Sequence, residues 1–357
     1  MENSTIKLIF VCVLSALCSC TKIGGDAGMH PIEFYAPDYN LELKAQQLDS
    51  VKLIDFGVHA SIQEQGQRSS FMNNTKVRKQ ANSALWTAEP KYYWPLLDDK
   101  TLDFFAYAPY STSSNGIKTW ADWSSRSISI AYTPNSNPAN QVDLCVAPAV
   151  LDRRRLDAQG KESSVSFDFE HTLSYISFSA NYIGTLPDDC KLRIDELSLN
   201  NLVATDTLVV SSSRTNYFAW KQYSLARKTA SYVMSTTAGT LVANENKYPI
   251  VHQNQGFTDF VEPSGIILAL PQEINSNDGS VRTVLDVTFS YVKGNSLIAQ
   301  FYTSIPLSNL EWMPATKYRY LLTLNLTDAS LILTGCYSSG WIEDWKPGNN
   351  HGDTLIK

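Results

Sequence analysis

The clearest covalent chemistry in the sequence lies near its amino end, at Leu17-Cys18-Ser19-Cys20. Ahead of it stand Lys7 and an apolar run from Leu8 to Leu14, extended through Ser15, Ala16 and Leu17. That run is too short to cross a bilayer as a helix, which takes roughly 20 apolar residues. Leu17, small Ser19 and Cys20 make the pattern of a bacterial lipoprotein signal: a peptidase cuts between Ser19 and Cys20, and the new amino-terminal cysteine carries the lipid. Each CH2 of an acyl chain buried in a membrane contributes about 0.8 kcal/mol, so a multiply acylated Cys20 holds the chain at a membrane surface. An ordinary secretory signal cut nearby, or a buried amino-terminal strand, is the other reading of these residues.

The remaining reactive side chains form no recognisable site. His30, His59, His171, His252 and His351 are scattered, with no HxH or HExxH spacing for a metal. His59 and His171 fall inside strand-like runs and read as satisfied strand residues. No CxxC pair exists, so a zinc or redox motif has no support. With Cys20 lipidated, Cys145, Cys190 and Cys336 remain. One bridge among the three is open in an oxidising compartment, whereas the apolar settings of Cys145 and Cys336 suggest buried thiols. Asp98-Asp99 and Asp188-Asp189 sit at turns, where aspartate bonds its own backbone. There is no GxSxG elbow, P-loop or GxGxxG. The expectation is no catalytic residue, no metal, no cofactor and no enzymatic activity. Aromatic side chains offer a binding alternative, because Tyr92, Tyr93, Trp94, Trp120 and Trp123 are of the kind that stack on sugar rings. If Tyr93 and Trp94 pack inside the fold, Trp120 and Trp123 are left to meet a host or dietary glycan.

The elements that position these residues are strands. Charged residues are 18% of the chain and the formal net charge is −6, which argues against nucleic acid as a partner because that needs a basic face. Residues 20–357 are too many for one small core and suit two domains of about 150 residues each. Residues 20–30 read as a flexible tether, 31–183 as one β-sandwich domain and 184–357 as a second, divided at the turn formers Gly184 to Asp189. Apolar, β-branched and aromatic residues alternate with period two almost throughout. Runs at 31–35, 51–60, 101–107, 127–132 and 141–146 read as strands, and 165–178 as one long strand or two joined near His171. Residues 65–80 read as a loop. A phase slip near Glu196 suggests a bulge. Asn277-Asp278-Gly279 suggests a hairpin joining the 265–271 strand to the 281–291 strand. Thr354-Leu355-Ile356 reads as a frayed tail. Many short strands about ten residues apart, with no long amphipathic helix, indicate an all-β fold of two sandwiches.

The order of these pieces resembles the fimbrillin family, the lipoprotein pilins and accessory subunits of protease-processed (type V) bacterial pili. The resemblance rests on Leu17-Cys18-Ser19-Cys20, on Phe56 to Ala60, on Tyr93-Trp94-Pro95 and on Leu102 to Pro109. It continues through Asp143-Leu144-Cys145-Val146-Ala147, Phe169-Glu170-His171-Thr172-Leu173-Ser174, the Ile267 to Gln272 strand, and Tyr318-Arg319-Tyr320. It implies two transthyretin-like β-sandwich domains after a lipoprotein signal peptide, in a stalk, tip or anchor subunit of a surface fimbria. Its partners would be other pilin subunits and, through Cys20, the outer-membrane lipid. In stalk subunits of the family a protease removes the first strand, typically after an arginine, and the emptied groove accepts a strand of the next subunit. This chain departs from that pattern: no arginine precedes Arg68, and Lys44 is the only basic residue between Tyr35 and Val51. Processing is therefore expected at Lys44, at Arg68 or at Arg78, or else the chain stays uncut and lipidated.

Overall fold

The computed structural model describes residues 29–36, 53–81, 83–96, 99–157, 160–221, 228–235, 250–260, 266–274, 282–307, 310–340 and 354–356. The signal segment, Ser19, Cys20 and Lys44 lie outside the described residues. So does the turn at 277–279. Among the described residues the fold is all-β, with two short 3-10 turns and no α-helix.

Thr101–Ala108 explains much of the first half, because it is buried on both faces. Leu102, Phe104 and Ala106 point into one core, while Phe105 and Tyr107 point into another. This strand belongs to a nine-stranded sheet, in which Glu33–Tyr35, Trp86–Glu89, Gln67–Lys79, Asp55–Glu64 and Thr101–Ala108 are successive neighbours. Four strand steps span about 19 Å in a flat sheet. Yet the rings of Phe34 and Phe104, at the two ends of that series, are centred 5.9 Å apart. The sheet therefore curls, and its concave face encloses Phe34, Phe56, Trp86, Phe104 and Phe167.

A four-stranded sheet packs on the convex side. Its order is Phe218–Trp220, Asp206–Ser211, Ser127–Tyr132, Ile117–Asp122. Its apolar residues, among them Ile128, Ile130, Leu208 and Val210, share a core with Phe105 and Tyr107 and also with Ile266, Leu268 and Leu270. Ile267 and Ala269, the alternate residues of the same strand, face the third core. That core lies between Lys228–Ser235, Lys191–Val203, Val284–Lys293 and Ser296–Pro306 on one side and a seven-stranded sheet on the other. At the centre of the latter, Ser174–Ile183 and Thr316–Asn325 run parallel over ten residue pairs.

Pairing crosses the divide read at 183/184 in both directions. Ser174–Ile183, before it, belongs to the second sandwich, and Asp206–Ser211, after it, pairs with Ser127–Tyr132. The stretch read as a loop at 65–80 is instead the strand Gln67–Lys79, in which Gln67, Ser69, Ser70, Asn73 and Arg78 face solvent while Met72, Thr75 and Val77 are buried. The 165–178 run breaks into Val165–Ser166, Glu170–His171 and the start of Ser174–Ile183. Nor do the strands flanking Asn277-Asp278-Gly279 form a hairpin: Ile266–Ala269 pairs with Ser174–Ile183, and Val284–Lys293 with Lys191–Val203. Turn residues mark a change of direction without choosing the sheet that the chain enters next. Thr354–Ile356, read as frayed, forms a three-residue strand against Cys336–Ser338. The slip near Glu196 is a bulge, with the register shifting between Ile194 and Glu196.

Candidate functional site

The first described strand is held like an inserted plug. Ile32, Phe34 and Ala36 are buried, and Glu33 and Tyr35 between them face outward. Phe34 packs edge-on to Phe56 and Phe104, at 6.3 Å and 5.9 Å between ring centres, and stacks on Phe167 at 6.0 Å. The backbone is bonded on both sides, antiparallel to Trp86–Glu89 and parallel to Val165–Ser166. Ile32 N–H donates to Tyr92 O and Phe167 N–H to Tyr35 O, each at 2.9 Å. A short strand sits in the middle of a sheet, filling apolar sockets with alternate residues. Any other strand with the same alternation meets the same sockets and the same ladder groups.

The arginines read as processing points are in ordered strand. Arg68 reaches inward from Gln67–Lys79 to Asp103, whose carboxylate is fully buried. Arg126 Nε and Nη2 donate to the same carboxylate at 2.9 and 2.8 Å, and Asp152 N–H donates to it at 2.8 Å. Asp103 in turn raises the pKa of the Arg126 guanidinium. Arg78 is exposed but lies between Asp55 and Thr87 in the ladder, paired on both sides. Chain cleavage needs an accessible, extended loop, so either arginine would first have to leave its strand.

Two buried clusters were not read from the sequence as assemblies. In one, Gly57 lets the ring of Tyr107 lie flat over the strand, since a Cβ there would collide with the ring. The Tyr107 hydroxyl donates to Asn74 Oδ1 at 2.6 Å and accepts from Ser111 N–H at 3.1 Å. Asn74 N–H donates to His59 Nδ1 at 3.2 Å, so the neutral His59 carries its proton on Nε2, 2.9 Å from Thr119 Oγ1. Burial lowers the His59 pKa to about 4. The second cluster joins Asp143, Cys145 and His171, all buried. Cys145 and His171 are cross-strand partners, and Asp143 lies two residues from Cys145 on the same side of an extended segment. No ligand spacing in the sequence signals it, although all three residues fall in segments that carry the family resemblance.

Of the tryptophans read as glycan contacts, Trp120 is 46% exposed on the strand Ile117–Asp122, at the end of its sheet. Trp123 is half-buried against Phe105, 6.1 Å between ring centres. Trp94 is buried and Tyr93 half-buried. No disulfide joins Cys145, Cys190 and Cys336. Cys336 is buried, and burial raises its pKa to about 12. A second edge, open among the described residues, lies in the other sandwich. Ser296–Pro306 ends its four-stranded sheet and exposes Leu297, Ile298 and Tyr302.

Among solved structures, a fimbrial protein from Bacteroides vulgatus is similar at a TM-score of 0.59 with 18% identity, covering 87% of this chain and 99% of that one. A proposed cell adhesion protein from Bacteroides uniformis aligns at a TM-score of 0.48 with 15% identity, covering 89% of this chain and 100% of that one. No curated protein matches. The family model described as fimbrillin-like matches residues 51–345. With that match spanning most of its length, the chain belongs to the fimbrillin-like family.

Proposed function

We propose that the chain is a structural or adhesive subunit of a bacterial surface fibre, joined to its neighbours by exchange of an extended strand. The observation that carries this reading is the seat of residues 31–36. Ile32, Phe34 and Ala36 fill buried sockets, and the backbone is bonded on both sides. Removal of that segment would expose ladder groups and an apolar groove together, and a neighbour's strand would satisfy both. Such a joint needs no covalent chemistry, in keeping with a family of fimbrial rather than enzymatic proteins. Family membership also supports a location at the cell surface. Lipid on Cys20 would bring the chain to the outer membrane, and cleavage at Lys44 would free both the lipid and the first strand. An uncut chain keeps both and serves as a foothold rather than a link.

The test is a chain with a specific protease site placed between residues 37 and 52, cut after folding. Cut chains are expected to form ladders of multimers, and excess peptide matching residues 30–36 is expected to suppress them. Chains that stay monomeric after losing the strand, or ladders indifferent to the peptide, would refute strand exchange. One observation favours a second reading: Trp120 stands exposed on an end strand between Lys118 and Asp122, as a sugar-stacking platform would. Glycan-array binding that disappears in Trp120→Ala, with the fold retained, would support it.

A further inference from the structure

Asp143, Cys145 and His171 bring a carboxylate, a thiol and an imidazole together where water does not reach. Among the described residues they are the one group of three such side chains whose ligand atoms lie within 4.8 Å of each other. His171 Nδ1 is 3.6 Å from Cys145 Sγ and 2.6 Å from Asp143 Oδ2. Asp143 Oδ1 is buried and accepts no hydrogen bond from the described residues, in a residue with no exposed surface. A buried carboxylate oxygen left without a partner is costly. It points to a ligand that the described residues do not supply.

We propose that these three residues form a closed structural zinc site. Cys145 Sγ, His171 Nδ1 and a chelating Asp143 carboxylate close the site in a distorted tetrahedron, because the two carboxylate oxygens share a narrow bite. The separations fit the ion. With Zn–S near 2.3 Å and Zn–N near 2.0–2.1 Å at tetrahedral angles, sulfur and nitrogen lie about 3.5 Å apart. The observed 3.6 Å is already that distance. The hydrogen bond between His171 and Asp143 opens by less than about 1 Å to admit the metal, and the orphan Oδ1 gains a partner. Charge balance fits as well. Binding releases the Cys145 proton to solvent, and the imidazole proton shifts from Nδ1, where it bridges to Asp143, to Nε2. Thiolate, carboxylate and a divalent cation then sum to zero, as a fully buried site requires. Sulfur with nitrogen and oxygen donors suits zinc better than calcium or magnesium, which take oxygen alone. The metal would pin Cys145–Val146 to Glu170–His171, the last pair of the curled sheet.

The test uses the whole protein, purified without chelator, with metal measured by mass spectrometry. About one equivalent of zinc per chain is expected, and replacement by cobalt is expected to produce a sulfur-to-metal charge-transfer band. Cys145→Ala and His171→Ala are expected to lose the metal and the band, while Cys190→Ala and Cys336→Ala keep both. Chelation is expected to lower the thermal midpoint of the parent protein but not that of a folded Cys145→Ala variant. Should the alanine variants fail to fold, the cobalt spectrum of the parent chain still decides. Substoichiometric zinc with no cobalt–thiolate band, or a band abolished by Cys190→Ala or Cys336→Ala instead, overturns the proposal.

Discussion

Replacing Phe34 by alanine removes the ring that packs on Phe56, Phe104 and Phe167, from a position with no solvent exposure. Phe-to-Ala changes at such sites cost about 3–5 kcal/mol, combining lost transfer energy with the cavity left behind. In the intact chain this is read as a loss of unfolding free energy in urea. In a chain cut between residues 37 and 52, the same loss falls on the grip of the strand. At 1.4 kcal/mol for each factor of ten, its dissociation constant is expected to rise roughly a hundredfold to several thousandfold. Tyr35, one residue on, points outward and is 37% exposed. Its replacement by alanine is expected to change stability by less than about 1 kcal/mol. The assay is displacement of a fluorescent peptide matching residues 30–36 from the cut protein. Equal losses for the Phe34 and Tyr35 variants would refute the reasoning, because they would show that backbone pairing, without the sockets, holds the strand.

His59 is neutral in the folded state down to about pH 4, against an ordinary value of 6.5. The unfolded chain takes up the proton first, so stability is expected to be full above pH 6.5 and to fall as the pH drops toward 4. The loss is about 2–3 kcal/mol by pH 4.5; His59→Gln is expected to flatten that part of the profile, and an unchanged slope would assign it elsewhere. Asp103→Ala removes the buried carboxylate that Arg68 and Arg126 share, leaving them only the exposed Asp152, and is expected to cost about 3–5 kcal/mol in urea denaturation. Removing Glu64 from its surface pair with Lys100 is expected to cost less than about 1 kcal/mol, and equal costs would contradict the burial argument. Gly57→Ala is expected to destabilise by about 1–3 kcal/mol through collision with Tyr107. In a double-mutant cycle with Tyr107→Ala the two losses are expected to be markedly non-additive, whereas simple additivity would rule the clash out.

Strand character was legible because burial on one face writes alternation into the chain, and the bulge at Asp195 was legible because a bulge interrupts that alternation. Sheet membership was not. Ile266–Ala269 shows why: it sends Ile267 and Ala269 into one core and Ile266 and Leu268 into another, so it reads as an unbroken apolar run. The same ambiguity concealed the pairing of Asp206–Ser211 with Ser127–Tyr132 in the four-stranded sheet on the convex side. The first-strand seat was half-visible, since Ile32 and Phe34 alternate plainly, but their sockets come from residues as distant as Phe167. Asp103 sits among aromatic neighbours in sequence, and only the fold brings Arg68 and Arg126 to it. Asp143 and Cys145 are two residues apart, whereas His171 is brought to them by strand pairing, which no spacing rule contains.

The four-stranded sheet on the convex side, whose core also takes in Ile266, Leu268 and Leu270, carries a mechanical consequence. Among the described residues the chain passes between the two sandwiches after His171 and after Val203. These passages take two residues each, Thr172-Leu173 and Ala204-Thr205, and Leu173 is itself buried in the shared core. Neither leaves slack for a hinge. Tension drawn along a fibre would meet these two covalent crossings and, beside them, the six-pair ladder between Ser127–Tyr132 and Asp206–Ser211. The load path within one subunit is therefore braced like a truss.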